Sequence, residues 1–182
     1  PGEFHALTNN NEDAPVSTIL DGSEHFQAIT AVGPSILSAA QNTFENGLWW
    51  IKDRQNSNQH QFVDSVRGSN LALTIPSTGS ELTYSTPSGN CVAWCWKAGN
   101  TLVPNNDGTI LSQVSVNAEA GFSIVSYTGN LTAGATVGHG LGDTPDMIIV
   151  KGRNYTDEWH IKHVGIGNDS DSLRLNSSAG IA

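Results

Sequence analysis

Short apolar runs separated by turn-forming residues are the dominant pattern along this chain, and they predict β-strands rather than long helices. In the first half, the runs that predict strands lie at residues 26–30, 49–52, 62–66, 71–74 and 91–97. Gly33-Pro34 is predicted to end the first strand, and residues 35–41 to form one helical turn capped by Ser35. The pattern therefore predicts an all-β fold of tandem antiparallel, jelly-roll-like β-sandwich units with turn-rich loops and little helix.

The chain also repeats part of its own pattern. In residues 48–54 and again in residues 147–153, four bulky apolar residues are followed by lysine, a turn-former and arginine. The echo continues through two further pairs of segments: 60–68 with 159–167 and, after an insertion of three residues, 71–73 with 173–175. A fixed period of this kind predicts about one and a half copies of a unit of ~95–100 residues.

The repeat predicts the domain boundaries. They are a linker or the tail of a preceding domain at 1–23, a first β-sandwich repeat at 24–100, a connector at 101–120 and a second repeat at 121–182. Residues 91–97 are apolar on both alternating faces, which predicts a central strand that closes the first unit. The counterpart of that strand would fall at about 190–200, so the second repeat is expected to be incomplete at its C-terminal end. A longer chain or a neighbouring subunit is expected to supply the strand.

Composition and charge narrow the classes of partner. The 182 residues carry a formal net charge of −9 and only eight cations, which are scattered, so a nucleic-acid partner is not expected. No apolar run approaches the ~18–20 residues of a membrane span. Cys91 and Cys95 would lie on one face of a strand, about 13 Å apart at ~3.3 Å per residue, too far for a disulfide. They are predicted to be free buried thiols, which favours assembly in a reducing cytoplasm.

Three patterns that could hold a ligand are each better explained as structure. His160 and His163 would point to opposite faces of a strand and lack a third metal ligand. Asp169-Ser170-Asp171 lacks the glycine and distal glutamate of a calcium loop, so a solvated turn is expected. The glycine-rich segment 138–142 fits neither a phosphate loop nor a dinucleotide fingerprint and is predicted to be a turn. The sequence therefore predicts no metal and no cofactor.

Asp64 is the leading candidate for the acid of a hydrolytic site. Glycoside hydrolysis needs two carboxylates about 5–10 Å apart, and Glu45 and Asp53 are the available partners. Nothing in the sequence brings any of these pairs together. A structural salt bridge from Asp64 to Arg54 or Arg67 is the favoured interpretation, and the sequence predicts no catalytic residue and no enzyme.

Aromatic residues are the stronger candidates for a binding surface. The five tryptophans all fall in predicted strands and are candidates for a protein interface or for stacking on glycans: Trp49, Trp50, Trp94, Trp96 and Trp159. Core packing is expected to use about three of the five. Because the echo at 147–153 has isoleucine in place of both Trp49 and Trp50, one of these two is expected to be specific to the partner of the first repeat.

A family resemblance covers most of the chain. It is carried by Trp50-Ile51-Lys52-Asp53-Arg54, by Val92-Ala93-Trp94-Cys95-Trp96-Lys97-Ala98-Gly99, and by residues 62–68, 120–129 and 137–151. These segments resemble a repeat found in virion proteins of tailed bacteriophages, with marine and cyanobacterial phages as the richest source. Residues 4–7 and 15–22 resemble the exit of a SPRY-like β-sandwich that often precedes this repeat. The pattern departs from the repeat at residues 160–163.

The resemblance implies a structural protein of a virion, either a tail fibre or other appendage or a capsid-surface decoration protein, without catalysis. The implied partners are other virion proteins and copies of the chain itself in a symmetric oligomer, a trimer in the case of a fibre. The implied location is the virion, assembled in the host cytoplasm, and attachment to the host surface is a further expected role. Two alternatives stay open: a carbohydrate-binding module for a host surface glycan and, less favoured, a polysaccharide depolymerase.

Overall fold

Strands dominate the computed structural model of the chain, which describes residues 19–166 and 171–178. Strand accounts for 39% of the described residues and helix for 9%, and the sheets are antiparallel, so the predicted all-β class is confirmed. The predicted linker at 1–23 and the segments that resemble a SPRY-like exit lie almost entirely outside the described residues.

Six strands form the largest sheet. They are β1 (Phe26–Val32), β2 (Gly47–Asp53), β3 (His60–Asp64), β4 (Leu71–Ile75), β5 (Leu82–Thr83) and β6 (Asn90–Lys97). Their order in the sheet is β1-β6-β2-β3-β4-β5, so β6 lies between β1 and β2 and pairs with both. The prediction of a central strand at residues 91–97 is confirmed, because a strand with neighbours on both edges and cover on both faces needs apolar residues throughout.

One face of this sheet is covered by a helix, α1 (Gly33–Thr43), which the sequence only partly predicted. Gly33-Pro34 begins this helix instead of breaking the chain, and the expected Ser35 cap is absent, because the cap position is Val32. Proline fits the first helical turn, where its missing N–H would have had no partner within the helix. Ile36 and Ala40, one turn apart, are buried against the sheet. No helix among the described residues is long and apolar enough to cross a membrane.

A second sheet follows, with the order β7-β8-β9. Its strands are β7 (Val103–Asn105), β8 (Ser112–Asn117) and β9 (Phe122–Tyr127). The predicted connector at 101–120 thus contains two strands, and β9 pairs with β8 along its whole length. This sheet abuts the end of β6: the Asn117 amide donates to the Lys97 carbonyl (3.2 Å), and a Cβ at Gly99 would lie 2.4 Å from the Val116 carbonyl oxygen. Only glycine allows this close approach.

The third sheet repeats the strand order and register of β2, β3 and β4 in the first sheet. Its strands are β10 (Met147–Val150), β11 (His160–His163) and β12 (Leu173–Arg174), in that order. Leu48 pairs with Asp64 in the β2–β3 hairpin, and their counterparts in the sequence echo, Met147 and His163, pair in the β10–β11 hairpin. The closing hydrogen bonds also correspond, Ser65 N to Gly47 O at 3.0 Å and Val164 N to Asp146 O at 2.9 Å. The repeated sequence segments therefore form two hairpins with the same strand register.

The register of β12 corrects the last step of the echo. Leu173 pairs with Ile161, and Leu73 pairs with Phe62, so Leu73 and not Leu71 is the counterpart of Leu173. The insertion is therefore one residue, two fewer than the three predicted. The error has a simple cause, because side chains alternate with a period of two and a shift of two residues leaves the apolar pattern unchanged.

The third sheet packs on the face of the first sheet opposite α1. Trp159 and Leu175 pack there in a core cluster with three residues of β3 and β4, Phe62, Leu73 and Ile75. The Trp159 indole also donates to the Ser77 carbonyl (3.2 Å). The first sheet is thus covered on both faces, by α1 on one and in part by the second half of the chain on the other.

Candidate functional site

The structure divides the five candidate tryptophans into two groups. Trp49 is 1% exposed and lies under α1, and Trp159 is 3% exposed against Phe62, so neither offers a surface to a partner. These two therefore leave the set of interface candidates. Trp50, Trp94 and Trp96 are half-buried. The separation of Trp49 from Trp50 follows from strand geometry, because adjacent side chains point to opposite faces and only one of those faces lies under the helix.

The half-buried tryptophans belong to a row of rings that crosses four strands. Strand register creates the row by placing Phe26 opposite Trp96, Trp94 opposite Trp50, and Trp50 opposite Phe62. The ring centroids of these three pairs are 5.0, 5.5 and 4.7 Å apart, and Trp50 also stacks on Trp96 at 6.5 Å. Cross-strand pairs at such distances stabilise a sheet and hold the rings in fixed positions. We call Phe26, Trp50, His60, Phe62, Trp94 and Trp96 the aromatic face.

One end of the aromatic face is open to solvent. Phe26 is 40% exposed, and a shallow groove beside it is lined by Trp96, by Phe122 of β9 and by Gly121, which precedes β9. The opposite end is closed, because Trp159 packs on Phe62 with ring centroids 5.1 Å apart. The face thus offers fixed, partly exposed rings that could be buried by a protein partner or could stack on sugars.

His60 fixes the orientation of Trp50 within the aromatic face. The Trp50 indole N–H donates to His60 Nδ1 (2.8 Å), which must be unprotonated to accept. Burial lowers the pKa of His60, and the charge of Lys52 lowers it further. The neutral ring is therefore the form that supports the aromatic face at neutral pH.

Acidification should weaken the fold through His60. Because its pKa is lower in the folded state than the ordinary 6.5, the unfolded chain takes up the proton first. The stabilising contribution is complete above pH ~6.5 and decreases as the pH falls towards the folded pKa, by at most ~1.4 kcal/mol per pH unit. Urea unfolding at several pH values should show a smaller pH dependence for His60→Gln than for the wild type. His163→Gln, at an exposed position, is the control, and an unchanged pH dependence in His60→Gln would contradict the assignment.

The predicted salt bridge of Asp64 forms with one of its two candidate partners. Arg67 donates through Nε to Asp64, whereas Arg54 is exposed and forms no ion pair within the described part of the chain. Asp64 ends β3, and its other oxygen accepts the N–H groups of Val66 and Arg67 at 2.9 and 2.8 Å. Both carboxylate oxygens are therefore committed to the turn after β3, a structural role.

Sequence reasoning missed the continuation of this ion pair. Arg67 Nη1 also contacts Glu81 Oε1 (2.7 Å), and Arg153 Nη2 contacts Glu81 Oε2 (2.9 Å). Asp64, Arg67, Glu81 and Arg153 thus form a chain of alternating charge that joins the first sheet to the residues after β10. Burial alone would raise the pKa of Glu81, but hydrogen bonds from Arg153 and Arg67 outweigh it and hold the pKa below its ordinary value.

The other carboxylates do not form a hydrolytic pair with Asp64. Asp53 and Asp64 lie at opposite ends of the β2–β3 hairpin, since Asp64 pairs with Leu48. Five residues of strand at ~3.3 Å each separate the two by about 16 Å, beyond the 5–10 Å that glycoside hydrolysis needs. Hydrogen bonds, the largest from the Asn56 side chain, lower the pKa of Asp53 to about 2 and fix the loop after β2. Glu45 is exposed two residues before β2.

The sequence patterns considered as metal or phosphate sites, where they fall in the described residues, are parts of strands and loops. His160 and His163 lie three apart in β11 and so point to opposite faces, and no group of three or more metal-ligating side chains occurs in the described residues. In the glycine-rich segment, Gly140 and Gly142 have φ values of 74° and 82°, in the left-handed region that favours glycine. In the pattern Asp169-Ser170-Asp171, the first two residues lie outside the described ranges.

The two thiols are as predicted. Cys91 and Cys95 are both buried and free, on the face of β6 that α1 covers. Burial raises the pKa of the Cys95 thiol to about 11, which keeps it in its unreactive, protonated form.

The fold and the site define an all-β protein with antiparallel sheets and a half-buried aromatic face. A family model described as a domain of unknown function, DUF7483, matches residues 21–89 and residues 83–182. The chain therefore belongs to this family. No curated protein and no solved structure matches it.

Proposed function

We propose that this protein is a structural component of a bacteriophage virion, in a tail fibre or other appendage or on the capsid surface. It acts through assembly with other virion proteins and with copies of itself, and through it the particle contacts the host surface. The family resemblance of residues 50–54 and 92–99 supports the virion role. The aromatic face carries the proposal of assembly, because fixed aromatic side chains that are partly exposed are typical of the centres of protein interfaces.

The proposed architecture consists of tandem β-sandwich units. The two hairpins with the same strand register support it, since each copy supplies an antiparallel sheet on which other elements can pack. The proposed unit boundary lies in the segment 101–120, which contributes β7 and β8.

Polar groups beside the aromatic face favour a protein partner over a sugar. Lys52 Nζ already donates to three loop carbonyls, those of Asp53 (2.8 Å), Asn56 (3.2 Å) and Asn58 (2.7 Å). His60 Nδ1 is occupied by the Trp50 indole. A sugar site combines stacking rings with free hydrogen-bonding groups that fix the ligand, and these two neighbours are already engaged.

The proposal is tested by incorporation into particles of a phage that encodes the chain. Mass spectrometry of purified particles should find the wild type at a fixed stoichiometry and Trp96→Ala at least about tenfold depleted, as expected for loss of an aromatic anchor. Tyr155→Ala is the matched control, since Tyr155 is 57% exposed and lies outside the aromatic face. Thermal unfolding of each variant separates failed assembly from failed folding.

Two outcomes would count against this function. A wild-type chain present in the lysate but absent from purified particles would contradict the virion role. The second candidate, a carbohydrate-binding module, is favoured by the row of half-buried tryptophans alone. Binding to a glycan array that is lost in Trp96→Ala and kept in Tyr155→Ala would replace assembly with glycan recognition as the role of the aromatic face.

A further inference from the structure

The outer edge of β10 is open and apolar. Within the described residues β10 pairs only with β11, which leaves its other edge without hydrogen-bond partners. Its four residues, Met147, Ile148, Ile149 and Val150, are 54, 44, 39 and 40% exposed, so both faces of the strand are accessible. Native proteins protect such edges, because unpaired backbone groups beside apolar side chains invite another strand to pair.

The first copy of the hairpin shows what covers the equivalent edge. β2 pairs with β3 in the register that β10 has with β11, and the other edge of β2 is taken by β6 over seven residue pairs. The counterparts of Ile148 and Val150 are Trp49 and Ile51, which are 1% and 0% exposed beneath α1 and beside β6. Within the described part of the chain, no element covers Ile148 and Val150 as α1 and β6 cover Trp49 and Ile51.

We propose that β10 is a docking edge for an extended protein strand that pairs antiparallel to it, as β6 pairs with β2. The incoming strand has the chemistry of β6, with apolar side chains at successive positions and a lysine at its C-terminal end. Backbone hydrogen bonds provide affinity, and apolar side chains on both faces provide specificity, as in other cases of β-strand addition.

Charge complementarity supports both the lysine at the C-terminal end of the incoming strand and the antiparallel direction of that strand. Lys97 of β6 pairs with Gly47, and the counterpart of Gly47 in the second hairpin is Asp146, immediately before β10. The closing hydrogen bonds of the two hairpins confirm this correspondence, because Gly47 O and Asp146 O accept equivalent N–H groups. Asp146 is exposed, so a lysine at the end of the incoming strand would meet an accessible carboxylate. The inference is independent of the proposed virion role, since it concerns a different surface and needs no phage.

The test uses the purified chain and a synthetic peptide that copies β6. The peptide spans residues 88–98 with Cys91→Ala and Cys95→Ala, which prevents oxidation. Hydrogen–deuterium exchange with saturating peptide should show slower exchange, by about tenfold or more, of the amides of Met147 and Ile149, whose N–H groups face the open edge. A scrambled peptide of the same composition should leave the exchange unchanged.

Reversing the charges of Lys97 in the peptide and Asp146 in the chain tests the proposed contact between them. A peptide with Lys97→Glu should bind the wild-type chain about tenfold more weakly, and the chain variant Asp146→Lys should restore its binding. Ile148→Lys in the chain should abolish protection, whereas Leu111→Lys, at a residue 57% exposed outside the third sheet, should not.

Three outcomes would overturn the proposal. They are the absence of protection by the β6 peptide, equal protection by the scrambled peptide, and protection that rises with the concentration of the chain without peptide. The last of these would identify a second copy of β10 as the occupant.

Discussion

Replacement of Trp49 by alanine should lower the free energy of unfolding by ~3–5 kcal/mol. Trp49 is 1% exposed and packs between α1 and the sheet with Ile36, Ala40 and Ile51, so its removal leaves a large cavity in the main core. Its indole Nε1 is buried with no hydrogen-bond partner among the described residues, so the loss is one of packing and not of a hydrogen bond. Chemical unfolding followed by circular dichroism measures the change.

The neighbouring tryptophan is the matched control for this experiment. Trp50 is half-buried on the opposite face of β2, and Trp50→Ala should cost less, about 1–3 kcal/mol. Trp49→Ile should also be milder than Trp49→Ala, because isoleucine fills part of the cavity that alanine leaves. An equal or greater loss in Trp50→Ala would contradict the assignment of Trp49 to the main core.

Strand positions were predictable because their signals are local. Alternation and bounding turn residues placed β2 and β4 within one or two residues, and the two apolar faces of residues 91–97 identified the central strand. The echo predicted the second hairpin for the same reason, since a repeated pattern repeats its own register. These predictions needed no knowledge of distant contacts.

Features that depend on distant contacts were not predictable in the same way. Alternation shows that Trp49 and Trp50 lie on opposite faces, but the position of α1 decides which face is the main core. The extent of α1 was also missed, because Gly33-Pro34 is compatible both with a break and with the first turn of a helix. In each case a local pattern allows two outcomes, and packing selects one.

The ion pairs among Asp64, Arg67, Glu81 and Arg153 also show that local contacts were predictable and distant ones were not. Asp64 and Arg67 are three residues apart across a turn, so the sequence predicted their contact as one of two alternatives, the other being Arg54. Glu81 and Arg153 are joined only because the residues after β10 lie beside β5, where the Arg153 carbonyl also accepts the Glu81 N–H (2.7 Å). No spacing in the sequence signals this pair.

Glu81 therefore joins the two halves of the chain, and its replacement should weaken the contact between them. Glu81→Gln should lower the free energy of unfolding by about 3 kcal/mol, since it leaves Arg67, whose side chain is 7% exposed, with one carboxylate instead of two. This loss is at the lower end of the ~3–5 kcal/mol expected when a buried ion pair is broken. The side chain of Arg153 is 39% exposed, so it remains partly solvated after the replacement. Urea unfolding gives the measurement, and Glu119→Gln, at a side chain 59% exposed, should change stability by less than about 0.5 kcal/mol.

The pH dependence of the Glu81→Gln effect identifies its electrostatic origin. The folded pKa of Glu81 is below its ordinary 4.5, so its stabilising contribution is complete above that pH and is lost as the pH falls through the folded pKa. The difference between wild type and variant should therefore shrink on acidification below pH ~4.5. In a double-mutant cycle, adding Arg67→Met to Glu81→Gln should cost less than the sum of the single changes, because the second replacement removes the charge that the first left under-paired. Additive costs and a difference independent of pH would show that Glu81 acts through packing and that the network does not join the two halves.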